Sequence, residues 1–234
     1  MRIENLDCSI ANTNILRSCS LEVGKGEIVC LIGRNGAGKS SILKNIIGLY
    51  PSIMGKIFFE DRDITHLTSH DRVMAGIAYA PEDSRLFPEL TVEENIKLGS
   101  WITSKTDRAG SFDLEKAFMV FPAIKKLRKR KASTLSGGEK RMVSISRASA
   151  LNPSLLLLDE SFEGLAPLAV KAFSGAMKSI RDDLGVSILL AESNLHNASQ
   201  VAQRVYIIER GEIIFEGHPQ EILENKNLLR IVGR

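Results

Sequence analysis

The string Gly33-Arg34-Asn35-Gly36-Ala37-Gly38-Lys39-Ser40-Ser41 constrains this chain more than any other part of it. It follows an apolar run, Glu27–Ile32 (EIVCLI). After it, Ile42, Leu43, Ile46 and Ile47 fall on one helical face, and Gly48 is a stop signal. The run reads as a buried parallel strand and the later periodicity as an amphipathic helix. Strand, glycine loop and helix in that order is the setting in which GxxxxGK[ST] cradles phosphate. Glycines let backbone N–H groups turn inward with no Cβ in the way, and those donors and the helix N-terminus bind phosphate oxygens. Lys39 reaches the terminal phosphates, and the Ser40 hydroxyl is placed for Mg²⁺. Gly33 to Ser41 are therefore the candidate nucleotide-binding residues.

A second constraint is Leu155–Leu158 (LLLL), which runs into Asp159-Glu160. An apolar parallel strand ending in acids delivers carboxylates to the sheet edge where ligands bind in α/β folds. Asp159 is the candidate Mg²⁺ ligand, and Glu160 is the candidate base that polarises the attacking water. A third is Leu135-Ser136-Gly137-Gly138-Glu139. Two glycines free backbone N–H groups at a helix start, where the dipole supplies about half a positive charge. Ser136 adds a hydroxyl donor. This makes a second anion site, one that a single chain cannot easily aim at the same phosphate as the first.

Together these strings resemble the ATP-binding subunits of ABC transporters, and the resemblance spans Met1 to Arg234. It implies an α/β P-loop NTPase core of the RecA-like kind, with an antiparallel β subdomain and an inserted α-helical subdomain. Residues 1–84 and 151–234 would form the core, and residues 85–150 the helical subdomain. The implied ligands are ATP and Mg²⁺, and the implied reaction is ATP hydrolysis coupled to transport. Ser136, Gly137, Gly138 and Glu139 would serve an ATP held on the phosphate loop of another subunit. Within the family, Pro81–Asn95 (PEDSRLFPELTVEEN), Glu163-Gly164-Leu165-Ala166-Pro167 and Glu192-Ser193-Asn194 are similar to one of the two ATPase subunits of high-affinity branched-chain amino acid importers. Urea and short-amide importers share much of that pattern. The implied partners are membrane permease subunits, a second ATPase subunit in a hetero- or homodimer and, indirectly, a periplasmic solute-binding protein. The implied place is the inner, cytoplasmic face of the cell membrane. A non-transport ABC ATPase and a degenerate regulatory partner are the other readings. Retained Lys39, Asp159 and Glu160 argue against the second of these, and the chain has no room for the extra domain or coiled coil of the first.

Four positions depart from the family pattern. Glu82 stands where most members carry Gln, and is expected to touch Mg²⁺ with an added charge. Ser193 takes the place of the switch histidine, while His196 reads as a surface residue. Ile10 replaces the aromatic that stacks on adenine, offering apolar contact without a π-face. Ser161 replaces a Pro after the catalytic Glu. These departures bear on hydrolytic speed rather than on phosphate binding.

Further elements follow from patterning. Ile57–Glu60, Ile77–Ala80 and Ser187–Ala191 read as strands, and Val205–Glu209 with Glu212–Phe215 as a hairpin across Arg210-Gly211. Thr91 and Glu94 form a capping box at a helix start, and Asp113 to Phe121 and Glu221–Asn225 read as helical. The net charge of +3 rests on six basic residues in Lys125–Lys131 (KKLRKRK). With no aromatic between them to stack a base, they read as a solvated face, or one that meets anionic headgroups or an acidic loop, and not as a nucleic-acid site. Cys8, Cys19 and Cys30 read as reduced core thiols, with no metal-ligand spacing. Trp101 and Met119 read as packing residues. The composition, 44% hydrophobic and 25% charged, is that of a globular domain. No apolar stretch approaches the roughly 18 residues of a membrane span. The start, MRIENLD, has acids where a secretory signal is apolar, so the expected compartment is the cytoplasm.

Overall fold

Two sheets clamp one helix between them, and that helix carries the phosphate loop. The computed structural model describes residues 1–103 and 114–233. Strands β1 (Arg2–Ile10) and β2 (Thr13–Glu22) form a hairpin across Ala11-Asn12, both at positive φ, as a two-residue turn matched to strand twist requires. β3 (Ile28–Ile32) is buried at all five residues and leads into α1 (Lys39–Ile46). β4 (Met54–Phe59) and the short β5 (Arg62–Asp63) complete a four-stranded antiparallel sheet in the order β2-β1-β4-β5.

The second sheet is built later in the chain. α2 (Ser69–Ala75), capped by the Thr68 hydroxyl, precedes β6 (Ile77–Ala80). Among the described residues, the α-helices α3 (Val92–Thr103), α4 (Leu114–Val120), α5 (Pro122–Lys125) and α6 (Gly137–Ser149) then intervene. After them come β7 (Leu155–Asp159), α7 (Pro167–Leu184), β8 (Ser187–Glu192), α8 (Leu195–Ser199), β9 (Arg204–Glu209), β10 (Glu212–Gly217), α9 (Pro219–Glu224) and α10 (Lys226–Val232). The sheet order is β10-β9-β3-β8-β7-β6. All its pairings are parallel except β10 with β9, so β3, β6, β7 and β8 end at the same edge.

Alternation along the central strands divides the core. Val29 and Leu31, with Leu155 and Leu157, face α1 and the antiparallel sheet, beside Ile42, Leu43 and Ile46. Ile28, Cys30 and Ile32, with Leu156 and Leu158, face the other layer, where Phe118, Phe173 and Ile180 pack. This is the period-2 reading of a strand covered on both faces. Phe173 of α7 lies 5.0 Å from Phe121 and 6.4 Å from Phe162, ring centre to ring centre, so it joins the α4–α5 turn to the loop after β7.

Several expectations hold with small shifts. β6 spans Ile77–Ala80 as read, and β4 begins earlier, at Met54, and ends before Glu60. The Thr91 hydroxyl accepts from Glu94 N–H at 3.2 Å, and the Glu94 carboxylate accepts from Thr91 N–H at 2.8 Å. The helix read over Asp113 to Phe121 runs Leu114–Val120, and Asp113 lies outside the described residues. The three cysteines are buried thiols, and Cys19 Sγ donates to Gly211 O. Trp101 and Met119 correct the packing expectation: they are 70% and 74% exposed, because the inward faces of α3 and α4 are taken by Val92, Ile96, Ala117 and Phe118. Much of the basic run is paired with acids, Lys125 with Glu115, Lys131 with Glu89, and Arg128 and Lys129 with Glu93.

Candidate active site

Four parallel strands stop at one edge, and each leaves chemistry behind it. β3 delivers the glycine loop, β6 delivers Glu82, β7 delivers Asp159 and Glu160, and β8 delivers Glu192 and Ser193. At that edge lies a hollow of ≈ 440 Å³ lined by Asn35, Gly36, Gly38, Lys39, Ser40, Ser41, Glu82, Glu160, Glu163 and Ile15. The loop needs its glycines for different reasons. A Cβ on Gly33 would run into Ile208 O, so the loop presses against β9 there. Gly36 and Gly38 have φ of 81° and 114°, a region L side chains rarely occupy.

Lys39 is 4% exposed, and its ammonium is fully engaged. Nζ donates to Gly33 O at 2.8 Å and Arg34 O at 3.2 Å, and pairs with Glu160 Oε1 at 2.9 Å. The Ser193 hydroxyl donates to the other oxygen, Glu160 Oε2, at 3.1 Å. Ser193 therefore touches the candidate base directly. Glu160 sits at φ 47°, strained for a residue with a Cβ, and its N–H donates to Ala191 O at 2.9 Å.

Asp159 is 3% exposed and accepts two hydroxyl donors. Ser40 Oγ donates to Oδ1 at 2.8 Å, and Tyr79 Oη donates to Oδ2 at 2.8 Å. Burial, and then the charge of Asp159, push the Tyr79 phenol far above its ordinary range, which keeps it a donor. Glu82 carries a raised carboxyl pKa, from burial first and then from Glu163, Asp159 and Glu160. A serine hydroxyl beside a carboxylate with neutral partners, and a second carboxylate facing the same hollow, is an all-oxygen donor set that suits Mg²⁺. Ser40, Asp159 and Glu82 would hold it.

Glu192 is 1% exposed and lies just behind the pair. Its Oε1 accepts from Phe162 N–H at 2.9 Å. Burial, with the nearby charge of Glu160 adding to it, pushes its carboxyl up to about 7.

The Leu135–Glu139 string starts α6 as expected. Ser136 N–H donates to Glu139 Oε2 at 2.7 Å, and Glu139 N–H to Ser136 Oγ at 3.4 Å, a closed capping box. A Cβ on Gly137 would meet nothing within 4 Å, so the helix start is open. Ser136, Gly137, Gly138 and Glu139 do not line the hollow around Lys39.

Two expected site residues face elsewhere. Arg34 turns from the hollow, with Nε donating to Ile231 O at 2.9 Å and Nη2 to Arg230 O at 2.7 Å, so only its backbone belongs to the loop. Ile10 stands at the end of β1, 36% exposed, and it is Ile15 of β2 that walls the hollow. His196 is exposed beside Ser193. The sequence reading misses Tyr79, Ile15 and the anchoring by Glu192. Tyr79 had a signal, being a polar-tipped residue one step before the strand end that carries Glu82.

Comparison with known proteins identifies the family. The profile of the family described as "ABC transporter" matches residues 16–163. The chain is 39% identical over 210 residues to the high-affinity branched-chain amino acid transport ATP-binding protein BraG of Pseudomonas aeruginosa, covering 90% of this chain and 89% of that one. It is 33% identical over 231 residues to a probable branched-chain amino acid transport ATP-binding protein LivF of Archaeoglobus fulgidus, covering 99% and 97%. The lipopolysaccharide export system ATP-binding protein LptB of Escherichia coli is 34% identical over 228 residues, covering 97% and 94%. Among solved structures, an ATP-binding subunit of an ABC transporter superposes with a TM-score of 0.82 at 29% identity, over 97% of this chain and 93% of that one.

Proposed function

The chain belongs to the ABC transporter family of ATP-binding proteins and hydrolyses ATP, and from that premise we propose that it energises a membrane importer of branched-chain or related amino acids. The observation that carries the substrate reading is near-full-length similarity to BraG and LivF. The similarity to LptB at 34% supports a second reading, lipopolysaccharide export; urea or short-amide import, which shares much of the sequence pattern, is a third.

The geometry supports the following roles. The backbone of Gly33 to Ser41 and the Lys39 ammonium take the phosphates of ATP. Ser40, Asp159 and Glu82 hold Mg²⁺, which, when bound, offsets the phosphate charge. Glu160, aimed by Lys39 and Ser193, accepts a proton from the attacking water. Ile15 gives the base apolar cover. Ser136, Gly137 and Gly138 present the open N-terminus of α6 to an ATP held by another ATPase subunit. Residues 85–150 act as the helical subdomain against the core of 1–84 and 151–234. Among the described residues no helix is long and apolar enough to cross a membrane. Membership of the ABC transporter family supports a place at the cytoplasmic face, docked under permease subunits, with a periplasmic binding protein delivering solute from the other side.

Ser193 is shorter than the imidazole it replaces, so the site on this chain's own loop is the slower of two in a heterodimer. Co-reconstitution with the permeases, the sister ATPase and the binding protein in vesicles tests the whole reading. ATP-driven uptake of leucine, isoleucine or valine, with turnover well above that of the chain alone, is the expected result. Failure to move these solutes overturns the substrate. Full activity of the chain alone, unchanged by partners, overturns the pairing.

A further inference from the structure

The parallel ladder between β7 and β8 does not stop where its strands do. Its last backbone rung on this side is Glu160 N–H to Ala191 O, at 2.9 Å. The next N–H of that alternation belongs to Phe162, and a side chain takes it: Glu192 Oε1 accepts from Phe162 N–H at 2.9 Å. The two bonds bracket Glu160, one at its own nitrogen and one two residues on. A non-glycine residue at φ 47° holds that conformation only where its surroundings enforce it. The Phe162 ring, 2% exposed and tilted at 56° against the Phe173 ring, fixes the loop from the other side.

Glu192 also reaches two neighbouring loops. Its backbone carbonyl accepts from Gly33 N–H at 3.3 Å, at the mouth of the phosphate loop. The residue after it is Ser193, whose hydroxyl holds Glu160 Oε2. Residue 192 thus meets the glycine loop through its backbone carbonyl and the loop after Glu160 through its carboxylate, and it precedes the serine that contacts Glu160. A buried carboxyl is costly where an apolar side chain would fill the space, and here its acceptor is spent on a backbone N–H.

We propose that Glu192 is a positioning residue for hydrolysis, which holds the Ser161–Phe162 loop so that the Glu160 carboxylate stays aimed between Lys39 and Ser193. The proposal rests on the reading of Glu160 as the base, and its own contact is measured separately.

The test compares Glu192→Ala, Glu192→Asp and Glu192→Gln in the full chain, in one assembly for all variants. Glu192→Ala removes the acceptor, and Glu192→Asp withdraws it by one methylene. Both are expected to lower kcat about tenfold or more, with the Kd for ATP held within about twofold, because a small misplacement of a reacting group costs rate rather than binding. Glu192→Gln keeps an acceptor oxygen and is expected to stay within about threefold of the parent kcat. Amide hydrogen exchange at Phe162 should accelerate in the first two and not in the third. If Glu192→Ala does not fold, Glu192→Asp carries the comparison. Unchanged kcat in Glu192→Asp, or loss of ATP binding in step with kcat, overturns the proposal, as does unaltered Phe162 exchange. The exchange readout is independent of which residue is the base, so normal turnover by Glu160→Gln would remove the base reading without touching this contact.

Discussion

Lys39 Nζ and Glu160 Oε1 stand 2.9 Å apart with both side chains under a tenth exposed, so the lysine of the glycine loop and the proposed base form one buried ion pair. Removing one member of such a pair leaves the other uncompensated, at about 3–5 kcal/mol. Lys39→Ala is therefore expected to lose ATP binding and also to melt earlier. Adding Glu160→Gln to it should recover part of that stability, since the remaining charge is gone. Glu160→Gln alone should bind ATP and fail to turn over, because an amide does not accept the proton. Filter binding, phosphate release and thermal melts on the three variants check this, and a double mutant no more stable than Lys39→Ala would break the pairing argument.

Tyr79 and Ser40 each donate to one oxygen of Asp159, which fixes the plane of that carboxylate. Outer partners of this kind typically shift metal affinity by about 10–100-fold. Tyr79→Phe is expected to raise the Mg²⁺ concentration for half-maximal hydrolysis about tenfold. Nucleotide binding measured without Mg²⁺ should not change. An unaltered Mg²⁺ requirement would show that Ser40 orients Asp159 by itself.

With Ile15 as the apolar wall and Ile10 away from the hollow, no aromatic side chain lines it among the described residues. The phosphates then carry the affinity. Competition between ATP and GTP is expected to differ by no more than about tenfold, or 1.4 kcal/mol. A hundredfold preference for ATP would mean that another side chain reads adenine.

The carboxyl of Glu192, pushed from 4.5 up to about 7, gives a pH signature. Between those values the folded chain keeps a proton that the unfolded chain has already lost. Stability from this group is thus fully present below about pH 4.5 and falls as pH rises toward 7. Glu192→Gln has no such proton to lose. The difference in melting temperature, variant minus parent, is expected to grow in favour of the variant across that window and level off above it. A difference that stays flat with pH would place the carboxyl in its ordinary range.

How much of this is legible without coordinates varies by residue. The glycine loop, the LLLLDE strand and the Leu135–Glu139 string announce themselves, because each needs fixed residue types at fixed spacing. β6, β9 and β10 follow from apolar alternation and the Arg210-Gly211 turn. α7 was also written in the sequence, with Pro167 at its first turn, Gly185 at its end and Phe173, Ala176, Met177 and Ile180 on its buried face. It is absent from the elements read above because its signals bear on packing rather than chemistry. Tyr79 on Asp159, and Glu192 on Phe162, belong to a different class. Both link neighbouring strands across the parallel sheet, and nothing local in either segment names its partner. Arg34 shows the opposite error, a motif position whose backbone belongs to the site while its side chain serves another helix.

That second service of Arg34 has a consequence in time. Its guanidinium is held by the carbonyls of Arg230 and Ile231, so the phosphate loop leans on a helix made nearly two hundred residues later. The glycine string leaves the ribosome well before α10 does, so the side chain beside it finds these two acceptors only once α10 has been synthesised. Until then the loop lacks the tie that Arg34 gives it to the helix.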